Sequence, residues 1–320
     1  MGNPYHKRGG VPEGGQFTNA IDAEAISDSM AGFAKEKAAE GVGQSLVDRI
    51  SKIFKFGEDD EDFTGDPFAG GKSANVKPDD LSVIQAASID GIASAIEDFS
   101  SSFPVATKVL IDGEMTVFLK ETLGSPYSAG ALGITAVSIG GNEPTRLGFS
   151  VGSRMAETLW DSGGLASLES MKSPVQFGVV NKLKAGDVLA AAKTLYYNAT
   201  LHELSHAMDG STNPVGAASE MLMGIAHKAA GSLGFGQKTP GPIKAWVAKR
   251  VSVYASQAQS PGQFKAELFA ETMSASMIGA KVTPALRGFA DLTKREWAGA
   301  QMEMFPKPGG SLMPQKGLIP

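Results

Sequence analysis

The chain has 320 residues, no cysteine and a formal net charge of −5. Its length fits one large domain or two small ones, its lack of cysteine excludes disulfides and thiolate metal sites, and its mild acidity argues against general nucleic-acid binding. No apolar run reaches the roughly 18 residues of a membrane helix, and the first residues lack the apolar core of a secretion signal. We therefore expect a soluble protein made in a reducing cytoplasm, with no membrane span and no nucleic-acid partner.

The first predicted helices lie between residues 21 and 55, where apolar residues recur at helical spacing. Those that share one face near the end of this segment are Val47, Ile50, Ile53 and Phe54. We interpret the segment as two packing helices. The alternative is a basic amphipathic helix on the surface, because Arg49, Lys52 and Lys55 lie in the same region.

The predicted domain organisation depends on a linker at residues 57–79. It opens with five consecutive acidic residues and continues through a Gly-rich stretch, a composition typical of a solvated segment. The sequence GGKS within it lacks the first glycine of a phosphate-binding loop, so we expect no nucleotide site there. We expect residues 1–56 to form an N-terminal segment with helices, residues 80–304 a domain, and residues 305–320 an irregular tail.

The remaining elements are predicted from hydrophobic periodicity and turn residues. A helix is expected at residues 80–100, followed by strands at 108–111, 115–119, 134–140, 146–152 and 174–180. Asp112-Gly113 predicts a hairpin between the first two strands. Later helices are expected at residues 187–208, 243–251, 260–279 and 284–304. This order of helix, strands and helices predicts the α+β fold class.

The ends of the later helices carry recognisable capping residues. Asp187 is the predicted N-cap of the first of them, and Gly210 is its predicted C-terminal stop. Ser260 is the predicted N-cap of the helix that begins with Pro261.

The motif His-Glu-x-x-His at residues 202–206 lies inside the predicted helix 187–208. Residues four apart project from one face of a helix, so His202 and His206 can bind one metal ion. Glu203 reaches the same side and can accept a proton from a water that the metal activates. Zinc suits this set of ligands. The alternative is two histidines on a helix surface or hydrogen-bonded in a core.

A zinc site of this kind needs a third ligand, and the helix 260–279 offers two candidates. A metzincin would have histidine at position 212, where this chain has Thr212, so that class is excluded. Glu267 and Glu271 lie four residues apart on a helix that its apolar residues Leu268, Phe269 and Met273 predict to be at least half buried. Buried carboxylates are usually paired or metal-bound. The alternative is two solvated carboxylates on an outer face.

Three motifs together resemble a known family. HELSHAMD at residues 202–209, VSVYA at 251–255 and AELFAE at 266–271 are similar to motifs of gluzincin metallopeptidases of the anthrax lethal factor type. The resemblance covers about residues 187–280. It implies a zincin-like metallopeptidase domain with a small mixed sheet, an active-site helix and a helical C-terminal part, here preceded by a helical extension.

The resemblance implies a role for each matching residue. His202, His206 and Glu267 would bind Zn²⁺, and Glu203 would be the general base. Tyr254 would stabilise the oxyanion; the stretch between Tyr254 and Glu267 is longer than in the family, and the alternative for this residue is a packed or surface tyrosine.

Glu271 would orient a ligating histidine, and Asp209 is a candidate for the same role. His227 lies 21 residues after His206 and is interpreted as an ordinary helix residue, with a supporting role at the site as the alternative. Asn198-Ala-Thr200 matches a glycosylation sequon, but it falls within the predicted active-site helix of a cytoplasmic chain, so we discard it.

Residues 3–20 resemble the short His…Gly-Gly-Gln-Phe element of tailed-phage structural and injected proteins. This resemblance implies a phage or mobile-element protein, located in the virion or the host cytoplasm, with other virion proteins as partners. The leading hypothesis is a zinc-dependent endopeptidase that acts on a peptide or protein substrate, held along a sheet edge. The alternatives are a non-catalytic virion structural protein with a zincin-like domain and a toxin-like effector.

Overall fold

The computed structural model describes residues 42–57, 76–77, 81–120, 133–136, 144–151, 170, 172–212, 217–231, 241–258 and 260–299. Within these ranges the chain is rich in helices and holds one small mixed sheet. The predicted α+β class is confirmed at this level. Among the described helices, none combines the length and apolar character that a membrane span needs.

The helices are α1 (Val42–Ser51), α2 (Val83–Ser102), α3 (Pro104–Asp112), α4 (Val179–Lys184), α5 (Val188–Thr212), α6 (Ala217–Ala229), α7 (Gly241–Arg250), α8 (Val253–Ser256), α9 (Pro261–Met277) and α10 (Pro284–Trp297), with a 3₁₀ helix at Pro174–Gln176. The strands are β1 (Lys55–Phe56), β2 (Thr116–Lys120), β3 (Gly133–Ala136) and β4 (Arg146–Ser150).

The sheet has the strand order β1-β2-β4-β3. β1, β2 and β4 run parallel, and β3 pairs with β4 in the antiparallel direction, with Thr135 opposite Leu147. All five residues of β2 are buried, which fits a central strand covered on both faces. In the described part of the sheet, β3 is an edge strand. The predicted pairing of the strands around residues 134 and 146 is confirmed.

Two predicted strands are wrong, because both segments are helical. Residues 108–111 belong to α3, where Ala106 and Leu110 are buried four residues apart. A short apolar run fits a helix turn as well as a strand, and here the helical spacing of the buried residues prevails. The predicted hairpin at Asp112-Gly113 is therefore absent. Residues 174–180 hold the 3₁₀ helix and the start of α4.

The helix α1 packs against α2 and belongs to the larger of two hydrophobic clusters in the described residues. Ile50 is completely buried in that cluster. Arg49 pairs with Asp90 and Glu97 of α2, each at 2.6 Å. The packing interpretation therefore fits the second of the two predicted helices better than the basic-surface alternative does. The first, within residues 21–41, lies outside the described residues. β1 also pairs with β2, at Lys55 and Phe56. Most of the linker predicted at residues 57–79 lies outside the described residues, so the predicted domain division stays a prediction.

The long helix α5 carries the His-Glu-x-x-His motif. Its predicted N-cap is confirmed, because the Asp187 carboxylate accepts a hydrogen bond from the backbone N–H of Ala190 at 3.0 Å. The predicted stop at Gly210 is wrong, since the helix continues through Thr212. α2 packs against α5 and approaches it closely at Gly91, where an added Cβ would lie 2.2 Å from the carbonyl oxygen of Lys193. A glycine is therefore required at this crossing.

The helix α9 packs against α5 and carries the acidic motif. Ser260 is its N-cap, as predicted, and accepts a hydrogen bond from the backbone N–H of Gln263 at 3.1 Å. Phe264, Leu268 and Phe269 anchor the helix in the core. The contact between α5 and α9 brings the two sequence motifs to one place.

Candidate metal centre

His202, His206 and Glu267 come together between α5 and α9. The Nε2 atoms of the two histidines are 3.1 Å apart. Oε2 of Glu267 lies 3.3 Å from Nε2 of His202 and 3.5 Å from Nε2 of His206. Within the described residues, these three form a group that could hold a metal ion. One ligand atom from each side chain thus points to a common centre.

The electrostatics of this group favour a bound cation. Oε2 of Glu267 is buried and receives no hydrogen bond of good geometry. Burial opposes the charged form of Glu267, but its contacts with the two imidazoles outweigh burial and hold its pKa well below the usual range. Burial likewise opposes protonation of His202, yet Glu267 and Glu271 raise its pKa to about 9. The site therefore draws positive charge to its centre.

Glu203 follows His202 on α5 and contacts the edge strand β3. The residue is buried, and its negative charge acts on both His202 and Tyr254. The hydroxyl of Thr135 lies 2.6 Å from Oε2 of Glu203, within hydrogen-bonding distance, and 3.0 Å from its carbonyl oxygen. Gly133 leaves room for the side chain, because an added Cβ would lie 2.8 Å from Cγ of Glu203. The strand β3 thus fixes the position of the candidate base.

Glu271 lies one helical turn after Glu267 and is completely buried. Its Oε1 atom lies 3.6 Å from Nδ1 of His202, on the side of the ring away from the ligand atom. The hydroxyl of Ser173 lies 2.8 Å and 3.1 Å from the two carboxylate oxygens. Burial raises the pKa of Glu271 to about 7. Glu271 thus lies beside His202, and the orienting role that the resemblance implies for it stays a prediction.

Tyr254 lies at the rim of the group, on the short helix α8. Its hydroxyl contacts Oε1 of Glu267 at 3.4 Å, and its ring centroid is 6.3 Å from that of His202. Although 40% of the residue is exposed, its hydroxyl end lies among protein atoms. Desolvation and the charge of Glu267 raise the pKa of Tyr254 above its usual value. Tyr254 is therefore positioned to donate a hydrogen bond toward the centre.

Asp209 lies one turn after His206 on α5, and His227 lies on α6 outside the three-residue group. Burial raises the pKa of Asp209, while hydrogen bonding with Ser219 and the charge of His206 favour its ionised form. Asp209 thus interacts with a candidate ligand, as expected for a supporting residue.

Sequence reasoning missed Ser173 and Thr135. Both come from segments far from the residues they contact, 98 positions from Glu271 and 68 positions from Glu203. The pair Ser173-Pro174 is a typical start of a helix and could have indicated the 3₁₀ turn. Nothing local indicates which carboxylate either hydroxyl meets.

No protein-family model matches the chain, and no curated protein or solved structure matches it either. The site must therefore be interpreted from its own geometry. The phage-like element at residues 3–20 lies outside the described residues, so virion association stays a prediction that mass spectrometry of purified virions would test.

Proposed function

We propose that the chain is a zinc-dependent endopeptidase with a zincin-like domain of the gluzincin, lethal factor type. The observation that carries the proposal is the convergence of three ligand atoms, with a separate buried carboxylate, Glu203, whose charge acts on His202 and Tyr254. A purely structural metal site needs the ligands but has no use for Glu203. The proposal therefore depends on Glu203 as much as on His202, His206 and Glu267.

The donor set and its spacing suit zinc. The three ligand atoms lie 3.1, 3.3 and 3.5 Å from one another. A tetrahedral zinc with bonds of about 2.0–2.1 Å has ligand–ligand edges of about 3.3–3.4 Å. Two imidazoles and one carboxylate, with the fourth position open, are the ligands of many catalytic zinc sites. Oε2 of Glu267, buried without a hydrogen bond, gains a partner when a cation binds.

Different side chains around the centre can serve the separate steps of peptide hydrolysis. Zinc, when bound, would supply Lewis acidity and bring the pKa of a water toward neutrality. Glu203 would accept the proton of the attacking water and deliver it to the leaving amine, while Thr135 holds its carboxylate in place. Tyr254 would donate a hydrogen bond to the oxyanion that develops on the substrate carbonyl.

The edge strand β3 supports a peptide as the substrate class. β3 pairs with β4 on one side, and in the described sheet no strand pairs with its other side. An extended peptide can add to such an edge through backbone hydrogen bonds. Since Thr135 of this strand contacts Glu203, a peptide paired with β3 would pass close to the general base.

Zinc content is the first test of this proposal. We expect near one zinc per chain in the purified protein by elemental mass spectrometry, and its loss in His206→Ala. Zinc binding followed by cleavage of a peptide library would support the endopeptidase. Zinc binding without cleavage would favour the non-catalytic virion protein, and no zinc after the metal is offered would contradict both forms of the metal site.

A further inference from the structure

A turn at residues 173–177 contacts the helix that carries Glu267 and Glu271. Ser173 is the N-cap of the 3₁₀ helix and accepts a hydrogen bond from the backbone N–H of Val175 at 3.1 Å. Its single hydroxyl proton is directed to the carboxylate of Glu271, at 2.8 and 3.1 Å from the two oxygens. The Ser173 hydroxyl thus accepts a hydrogen bond at the helix cap and donates one to the carboxylate of Glu271.

The same turn is tied to the helix that carries the histidines. The side-chain amide of Asn198 on α5 donates to the carbonyl oxygens of Val175 and Phe177, at 2.9 and 3.0 Å. Asn198 is buried and lies one turn before His202. The turn 173–177 therefore hydrogen-bonds to both α5 and α9, the two helices that hold the candidate ligands.

The carboxylate of Glu271 lies beside the Nδ1 side of the His202 ring. Nδ1 of His202 is buried and makes no hydrogen bond of good geometry, and the nearest acceptor described for it is Oε1 of Glu271 at 3.6 Å. A histidine whose Nδ1–H points to a carboxylate presents its unprotonated Nε2 to a metal. Nε2 is the atom of His202 that meets Glu267 and His206. If the carboxylate of Glu271 could rotate freely, Nδ1–H of His202 would lose a fixed acceptor and the ring could change its orientation.

We propose that Ser173 is a positioning residue of the metal site: it fixes the carboxylate of Glu271 and, through it, the ring of His202. The inference rests on the proposed function for its metal. The side chain of Ser252 also hydrogen-bonds to Glu271. Loss of the Ser173 hydroxyl therefore removes one of two serine partners and leaves a buried carboxylate less firmly held.

The first experiment measures Zn²⁺ affinity of the full chain by competition with a chelator. We expect Ser173→Ala to weaken Zn²⁺ binding by about 10–100-fold, the usual effect of losing a group that supports a ligand. Ser173→Thr keeps the hydroxyl and should restore most of the affinity. The matched control is Ser82→Ala, which removes the N-cap of α2 from an exposed position outside the site and should bind Zn²⁺ as the wild type does. Wild-type affinity in Ser173→Ala would overturn the proposal.

A second readout does not depend on metal. In the metal-free chain with ¹⁵N-labelled histidine, we expect the Nδ1 proton of His202 to exchange slowly in the wild type and in Ser82→Ala, and fast in Ser173→Ala. Circular dichroism of each variant shows whether the helices have formed. If the wild type binds no Zn²⁺, the proposed function fails, while the difference in exchange would still support the role of Ser173. Equal exchange in folded Ser173→Ala would contradict it.

Discussion

The crossing of α2 and α5 at Gly91 sets the position of the motif helix, and alanine at this position should destabilise the protein. An added Cβ would lie 2.2 Å from the carbonyl oxygen of Lys193 and 3.0 Å from its carbonyl carbon and from the backbone nitrogen of Tyr197. All three atoms belong to the backbone of α5, so no side-chain rotation can relieve the overlap. The two helices would have to move apart.

The magnitude follows from two opposing effects. Overpacking in a core costs about 1–3 kcal/mol, and a clash with a rigid backbone belongs at the upper end of that range. Replacing glycine by alanine inside a helix gains about 1 kcal/mol. We therefore expect Gly91→Ala to lower the free energy of unfolding by about 2 kcal/mol. With an unfolding entropy of about 2.1 cal/mol/K per residue over 320 residues, that change corresponds to a fall in Tm of roughly 3 °C.

The assay is thermal unfolding of the full chain, and the chain offers a matched control. Gly224 lies on the exposed side of α6, and an added Cβ there would meet no atom within 4 Å. Gly224→Ala should therefore keep or raise Tm, because only the helix-propensity gain of about 1 kcal/mol applies. Equal Tm values for the two alanine variants would refute the tight crossing of α2 and α5.

Two further predictions concern the site. Thr135→Val removes the hydroxyl that lies 2.6 Å from Glu203; a hydrogen bond to a charged group is worth about 1.5–3 kcal/mol, so kcat/KM for peptide cleavage should fall roughly 10-fold to 150-fold. Zinc content should stay constant and Thr135→Ser should cleave normally, whereas full activity in Thr135→Val would contradict this role. In the metal-free protein, burial opposes protonation of His202 but Glu267 and Glu271 raise its pKa from 6.5 to about 9. The stabilisation from protonated His202 is fully present below pH 6.5 and is lost as the pH rises through about 9. Over that range, Tm should therefore fall more steeply in the wild type than in His202→Gln. Parallel plots of Tm against pH for the two proteins would argue against the interaction of His202 with the two glutamates.

The parts of the site that sequence could predict are those set by helical spacing. His202 and His206 share a face because they are four residues apart, and the same rule places Glu267 and Glu271 together. Acidic residues on a helix with many apolar residues indicated that the glutamate pair could meet the histidine pair at one metal site. Burial of Glu271 now bears out the physical basis of that suggestion, since a carboxylate in a core needs a partner.

The parts that sequence could not predict depend on contacts distant along the chain. The apolar run at residues 108–111 is compatible with a strand or a helix, and only its packing in α3 decides between them. Ser173 and Thr135 are ordinary hydroxyl residues in sequence, and their roles come from carboxylates 98 and 68 positions away. The close approach of the two helices at Gly91 likewise cannot be predicted without knowing that α5 packs against α2.

The most direct test of the central claim compares the wild type with Glu203→Gln in cleavage of a peptide library, with zinc counted in both proteins. Glutamine keeps the size of the side chain but cannot accept the proton of the attacking water. The account predicts equal zinc, cleavage by the wild type, and a loss of at least about 100-fold in the variant, the lower range of general-base catalysis. Equal cleavage by the two proteins at equal zinc content would contradict Glu203 as the base and, with it, the proposed mechanism.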